Sequence, residues 1–408
     1  MRFPTLESYK LQDMPFTCAQ CSFCQVGHGA CPTYKVKRRE TYSGKGKMIL
    51  TRNLMQGRIK PSDGLEGLRD GIFGCTLCGG CEEVCQVDIP FVKLYQLLRH
   101  DFLKRGMWPE QLKAARDTLL KTSNIQGQPQ MDRIEGWSYW HPDEDALLDR
   151  QGKRAKTAFF TGCASSFKGV SIQATIATTL ILDKIGVDYT LLGEDEFCCG
   201  APMIMTGDFD TAKKFAMHNI EKYKELGVER IVTNCPGCYK MWAHEYHEFL
   251  GIEHGFEILY GAQYLEELID EGKLTGLDNP LDLNVTFHDG CDAGRNSGFY
   301  EEPRKVLEYL PGIEFEELPH NKNNCYCCGS GGVLRALDND FALKINDLKV
   351  KDIEATNADV VVSHCPSCVD FMHNQLPQAG SKKLSKDLVV LVAQAMGFEW
   401  DGLDEIYG

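Results

Sequence analysis

The chain reads as a multidomain protein: an N-terminal all-α domain followed by two repeated α/β domains with parallel sheets. Three observations predict this. The 408 residues and 43% apolar content allow two to four domains with ordinary cores. Short apolar strands alternate with helical stretches from Lys156 onward, the pattern of parallel sheets covered by helices. A cysteine pattern occurs twice in that region: Gly162-Cys163, Cys198-Cys199-Gly200, Cys235-Pro236-Gly237-Cys238, then Gly290-Cys291, Cys327-Cys328-Gly329, Cys365-Pro366-Ser367-Cys368. The gaps nearly match, with 34 and 35 residues between first cysteine and pair, and 35 and 36 between pair and last group.

Residues 1–17 form a lead-in. Cys18-x2-Cys21-x2-Cys24-x6-Cys31 follows, and Cys75-x2-Cys78-x2-Cys81-x3-Cys85 is a second run. Tyr42–Gln56 and Leu65–Phe73 between them suit helices, and helical pattern resumes over Phe91–Leu120. These features place an all-helical domain at 1–100 and a helical connector at 101–155. The connector carries a polar stretch, Ser123–Pro129, and the aromatics Trp137 and Trp140, read as packing residues.

The first α/β domain is placed at 156–282. Its strands are Thr157–Thr161, Asp188–Leu192 and Val228–Thr233. A helix over Val170–Ile185 closes at Gly186. A second over Asp208–Leu226 shows an apolar face with Phe209 and Phe215, read as core, and Gly227 stops it. The second domain, 283–408, repeats the order: strand Asn284–His288, helix Arg304–Leu310, strand Ile313–Leu318, helix Asp338–Ala355, strand Asp359–Ser363. Each cysteine group falls in a loop or just after a strand, where parallel sheets build ligand sites.

Nineteen cysteines and a net charge of −14 narrow the function classes. The chain is long and shows no export signal, so its thiols are expected to bind metal rather than form disulfides. Eighteen of them fall into groups of four, four, five and five, leaving Cys325. No basic cluster supports nucleic-acid binding. No run of 18 apolar residues spans a bilayer. Neither a Walker loop nor a Rossmann fingerprint is present, so ATP, NAD and flavin are not expected here.

The C-x2-C-x2-C triplets suit cubane iron–sulfur clusters better than zinc, which takes two pairs. In two-cluster ferredoxins the fourth cysteine of each run serves the other cluster. By that logic one cluster takes Cys18, Cys21, Cys24 and Cys85, and the other takes Cys75, Cys78, Cys81 and Cys31. The wide spacing between the runs resembles the all-helical ferredoxin domain of succinate dehydrogenase iron–sulfur subunits. Two departures are visible: six residues precede Cys31, and Gln86 rather than Pro follows Cys85.

The Cys…Cys-Cys-Gly…Cys-Pro-x-Cys pattern resembles the CCG domain of heterodisulfide reductases. The order of domains, ferredoxin-like then two CCG domains, is similar to the D-type subunit of that family. The resemblance runs from Cys18 to Cys368. It implies two cubane 4Fe–4S clusters and two noncubane 4Fe–4S clusters. One noncubane cluster would take Cys163, Cys198, Cys199, Cys235 and Cys238. The other would take Cys291, Cys327, Cys328, Cys365 and Cys368. It further implies reduction of a small-molecule disulfide between two facing clusters, whose soft iron captures each sulfur. Partners would be redox subunits: a flavoprotein, a cytochrome or a dehydrogenase. The location would be cytoplasmic, or peripheral on the inner face of the membrane. The iron–sulfur subunits of glycolate and lactate oxidising enzymes share the layout, so an electron-transfer subunit is the alternative. They commonly keep one full five-cysteine motif, whereas both are full here. Around Cys291 the family's Pro and His are replaced by Gly290 and Asp292.

Four further residues carry two readings each. Arg295 is an anion grip or one half of an ion pair. His288 and His364, beside ligand cysteines, are proton relays or structural histidines. Cys325 is a spare thiol or a replacement ligand for Cys327.

Overall fold

In the computed structural model, residues 1–26 and 31–407 are described. Residues 27–30 and 408 lie outside them.

The N-terminal part is helical throughout. Helix Gly44–Met55 starts at Ser43, whose hydroxyl accepts from Gly46 N at 3.0 Å. Helix Pro61–Phe73 opens on proline, which has no N–H to leave unpaired. The expected helical stretch after Phe91 divides into Phe91–Lys104 and Glu110–Thr122. Pro109 bars the α conformation for the residue before it, so the chain turns between the two. Helix Phe91–Lys104 runs across residue 100. Its buried face joins the N-terminal core to the first α/β unit through Leu94, Leu98 and Phe102.

Each α/β unit holds a four-stranded parallel sheet. The first comprises β1 (Thr157–Phe159), β2 (Tyr189–Thr190), β3 (Arg230–Thr233) and β4 (Glu257–Tyr260), in the order β2-β1-β3-β4. The second comprises β5 (Leu283–Phe287), β6 (Ile313–Glu316), β7 (Val360–Ser363) and β8 (Leu384–Asp387), in the order β6-β5-β7-β8. The registers Ala158↔Ile231 and Thr286↔Val361 are equivalent pairs of the two copies. The edge strands β4 and β8 escaped the sequence pattern, because Leu384-Ser-Lys-Asp387 carries little apolar signal. The expected strand at 188–192 is paired over only two residues.

In each sheet the chain reverses its direction of travel between the two central strands. A crevice therefore opens at their carboxyl ends, β1/β3 in one copy and β5/β7 in the other. Cys163 and Cys235 flank the first crevice; Cys291 and Cys365 flank the second.

The long helices repeat as well. Phe209–Leu226 is capped by Asp208, which accepts from Thr211 N, and Asn339–Glu354 by Asp338, which accepts from Phe341 N. The glycine after each cysteine pair packs on an alanine of that helix. Gly200 has φ +89° and Gly329 +92°; a Cβ would stand 3.2 Å from Ala212 Cα in the first case and 2.6 Å from Ala342 O in the second. Only glycine meets both the torsion and the clearance.

The two sheets share one core. Phe159 and Val232 cluster with Phe287, Val360 and the apolar helix Leu388–Ala395. Helix Gly169–Lys184 lies between them, with every residue from Val170 to Leu182 buried, as expected of a helix apolar on all sides.

Candidate iron–sulfur sites

All nineteen cysteines are free thiols, and eighteen of them, all but Cys325, gather in four places. Cys31, Cys75, Cys78 and Cys81 line one small cavity. Cys18, Cys21, Cys24 and Cys85 line another, with Cys81 again on its wall. The fourth cysteine of each run thus crosses to the triplet of the other. Backbone amides point at these sulfurs: Lys45 N to Cys24 Sγ at 3.2 Å and Ile89 N to Cys85 Sγ at 3.5 Å. Burial pushes the Cys24 thiol up to about 11.

Lys47 is buried against the first of these cavities, its Nζ donating to Tyr42 O at 3.3 Å. Burial alone would lower its pKa, but the thiols of Cys75, Cys31 and Cys81 raise it. Sequence reasoning passed over it. The signal was a lysine on the same helical stripe as Gly44, Met48, Thr51 and Leu54.

In the first α/β unit, Cys163 hydrogen bonds Cys198, Cys198 meets Cys199, Cys199 meets Cys238, and Cys238 meets Cys235. In the second, the same chain runs Cys291, Cys327, Cys328, Cys368, Cys365. Cys328 Sγ and Cys368 Sγ are 3.2 Å apart. Hydrogen bonds from Cys198 and Cys238 pull Cys199 down to about 6, while Cys163 and Cys238 rise. Five crowded sulfurs, most of them buried, cannot all ionise alone; a cationic iron core would relieve that crowding and release the protons. The thiol sets fit iron–sulfur clusters on this ground. Soft sulfur donors, buried and converging without disulfides, are the donor set such clusters take.

The sites adjoin one another. The Cys78 and Cys327 thiols are neighbours that shift each other's ionisation, joining an N-terminal set to the second α/β set. Gly332 comes so close to this N-terminal loop that a Cβ there would lie 2.2 Å from Cys75 O. Between the two α/β sets, Lys240, two residues past Cys238, ion pairs with Asp292 beside Cys291 at 3.0 Å. A second bridge, Lys168 to Asp370 at 3.0 Å, joins the same two units. A cleft of about 1070 Å³ opens beside this junction, with Glu82 and Gln96 on one side and Lys240, Arg295 and Asn296 on the other.

Arg295 forms no ion pair with a carboxylate among the described residues. Its Nε donates to Cys78 O at 2.6 Å and its Nη1 to Cys325 O at 2.7 Å, so it ties two thiol loops together. Arg99 is the other hub and was missed. It is fully buried and donates to Ile72 O at 2.8 Å, Cys75 O at 2.7 Å, Met205 O at 2.6 Å and Gly332 O at 3.2 Å. Burial lowers its pKa to about 10. Its position between Tyr95 and Phe102 on the buried helix face was the available signal.

His364 is buried and held at its ring and its backbone. Its Nδ1 meets Asp387 at 2.6 Å, and its carbonyl accepts from the Tyr260 hydroxyl of the first unit. Cys325 is turned away from the five-thiol set, toward Lys349 Nζ at 3.2 Å and His288 Nδ1 at 3.4 Å.

Two cysteine-rich crevices beside two thiol cavities define an iron–sulfur oxidoreductase. Comparison with known proteins agrees. A family model described as a cysteine-rich domain, CCG, matches residues 157–242 and 285–373, and one described as a 4Fe-4S dicluster domain matches 16–89. The D-type subunit of the dihydromethanophenazine:CoB–CoM heterodisulfide reductase of Methanosarcina acetivorans is 34% identical, over 93% of this chain and 94% of its own length. The subunit of the same name from Methanosarcina mazei is 31% identical over 94% of each. The EtfAB:quinone oxidoreductase of Syntrophomonas wolfei is 28% identical, over 80% of this chain and 46% of its own. The chain belongs to the family of heterodisulfide reductase D-type subunits. Among the described residues no helix is long and apolar enough to cross a membrane.

Proposed function

We propose that the chain is the disulfide-reducing subunit of a redox complex, acting as RSSR′ + 2e⁻ + 2H⁺ → RSH + R′SH. In this reading Cys18, Cys21, Cys24 and Cys85 hold one cubane 4Fe–4S cluster, and Cys31, Cys75, Cys78 and Cys81 the other. Cys163, Cys198, Cys199, Cys235 and Cys238 hold one noncubane cluster; Cys291, Cys327, Cys328, Cys365 and Cys368 hold its counterpart. The clusters would supply single electrons and soft iron to receive each sulfur.

The observation that carries the reading is the completeness of both five-thiol sets, brought side by side by the Lys240–Asp292 bridge. A pure relay needs one such set; a disulfide has two sulfurs to anchor. The protein's own part is positional. Arg99 and Arg295 fix the thiol loops, and the buried crevices exclude water from the reacting sulfurs. The cleft beside Lys240 and Arg295 gives a small disulfide its approach. On the far side, Cys21 is exposed, and Phe16, Phe23 and Val26 lie exposed near it. That edge suits contact with an electron-donating subunit, either soluble or on the inner face of the membrane.

The test is anaerobic oxidation of a reduced viologen dye by the purified protein against a panel of disulfides, the coenzyme M–coenzyme B heterodisulfide included. Turnover dependent on one disulfide supports the reading and names the substrate. A protein with all four clusters and no turnover is instead an electron-transfer subunit. The likeness to the EtfAB:quinone oxidoreductase favours that second reading.

A further inference from the structure

We propose that His288 is a nitrogen ligand of the cluster in the second cysteine-rich domain, a donor that the first domain lacks. The proposal rests on the reading of that thiol set as a cluster site.

His288 ends β5 and is 1% exposed. Its backbone is pinned on both sides: its N–H donates to Val362 O at 2.8 Å, and its carbonyl accepts from Ser363 Oγ at 3.0 Å. The ring is held too. Nδ1 meets Cys325 Sγ at 3.4 Å, and that sulfur accepts from Lys349 Nζ at 3.2 Å. Lys349 is anchored in turn on Asp352 at 2.9 Å. Nε2 is buried and has no hydrogen-bond partner. A ligand atom of His288 lies within 4.8 Å of both Cys328 Sγ and Cys368 Sγ.

A buried imidazole nitrogen without a partner costs roughly 1–3 kcal/mol, and native folds rarely leave one. A metal at the thiols removes that cost. The support behind the ring is the arrangement that metal-bound histidines usually show: one nitrogen on the metal, the other fixed by a hydrogen bond that sets its orientation. Cys325 and Lys349 are positioning residues in this scheme. The first domain offers no counterpart. Counted from the following Gly-Cys, the residue equivalent to His288 is Phe160; counted back from the cysteine pair, the residue equivalent to Cys325 is Glu196.

The experiment is pulsed EPR on the full chain, purified anaerobically with ¹⁵N-histidine, in the oxidation state where the second-domain cluster is paramagnetic. The expected result is one strongly coupled histidine nitrogen on that signal and none on the first-domain signal. His288→Gln should keep the iron content and lose that coupling. Cys325→Ala should broaden the coupling by freeing the ring, and Cys325→Ser, which keeps an acceptor, should restore it. A cluster at the second site with only weak couplings in the wild-type protein overturns the proposal and leaves the function reading intact. Absence of any cluster there, by iron and sulfide analysis, overturns both.

Discussion

Behind the thiols of the first cysteine-rich domain stands a closed ion pair, and behind those of the second an open chain of polar groups. Glu196 accepts from Arg133 at 2.7 Å, Gly162 N at 2.8 Å and Thr161 N at 3.0 Å, which occupies both carboxylate oxygens. Burial still raises its pKa, against the pull of Arg133. The equivalent position in the second domain is Cys325, with Lys349, Asp352 and His320 linked behind it. The scaffold is otherwise repeated closely, down to an asparagine of each long helix that binds the cysteine-pair loop: Asn219 to Phe197 O at 2.9 Å, Asn346 to Cys328 O at 2.7 Å. Duplication kept what holds the thiols and let the residues behind them diverge. One site is built to be rigid. The other presents a nitrogen to its thiols.

Four measurements can break or sharpen this contrast. The largest effect is expected for Cys199→Ser and Cys328→Ser. Each should remove about four irons per chain, leave the other sites filled, and abolish disulfide turnover. Turnover surviving in either variant would show that one crevice suffices and would end the two-site reading.

Next in size is Glu196→Ala. It strands the buried Arg133 guanidinium, whose partner sits at 1% side-chain exposure, and should cost about 3–5 kcal/mol in a denaturant titration. Adding Arg133→Met should return much of that loss. A loss under about 1 kcal/mol, as for an exposed pair, would mean that the first site is not held by this pair.

Arg99→Met tests whether the two domains depend on the N-terminal loop alike, since Arg99 reaches Met205 O in one and Gly332 O in the other. Leaving these carbonyls unpaired should cost about 2–3 kcal/mol. Iron should be lost first from the Cys31, Cys75, Cys78, Cys81 cavity, read as loss of one cubane signal with both noncubane signals kept.

The smallest effect belongs to the bridge between the domains. Asp370 accepts from Lys168 and from Arg335 at 2.8 Å; burial pushes its pKa up, but these cations hold it below the ordinary carboxylate value. Its stabilisation is therefore fully present above about pH 4 and is lost as pH falls through the lower folded value. Asp370→Asn should cost about 1 kcal/mol at neutral pH and nothing once Asp370 is protonated in both states. An equal loss at all pH values would assign the effect to packing instead.

The sequence by itself determined the cysteine groups, the duplicated α/β architecture and the family. Each is written locally: C-x2-C spacing, strand-helix alternation and glycines that stop helices all act within a few residues. The long helices Phe209–Leu226 and Asn339–Glu354 fall within a residue of their expected bounds for that reason. Edge strand β8 was not legible, since Leu384-Ser-Lys-Asp387 carries little apolar patterning, and β4, though apolar over Ile258–Tyr260, was too short a run to stand out. Only the tertiary structure decided what the non-cysteine residues do. Arg295 became a clasp between two loops, Arg99 a hub for three parts of the chain, and Cys325 the support of His288. Those roles depend on contacts across 24 to 233 positions of sequence. A single side chain carries no mark of a partner that far away. Whether a charge or thiol ends up paired is fixed only when burial removes water as the alternative partner.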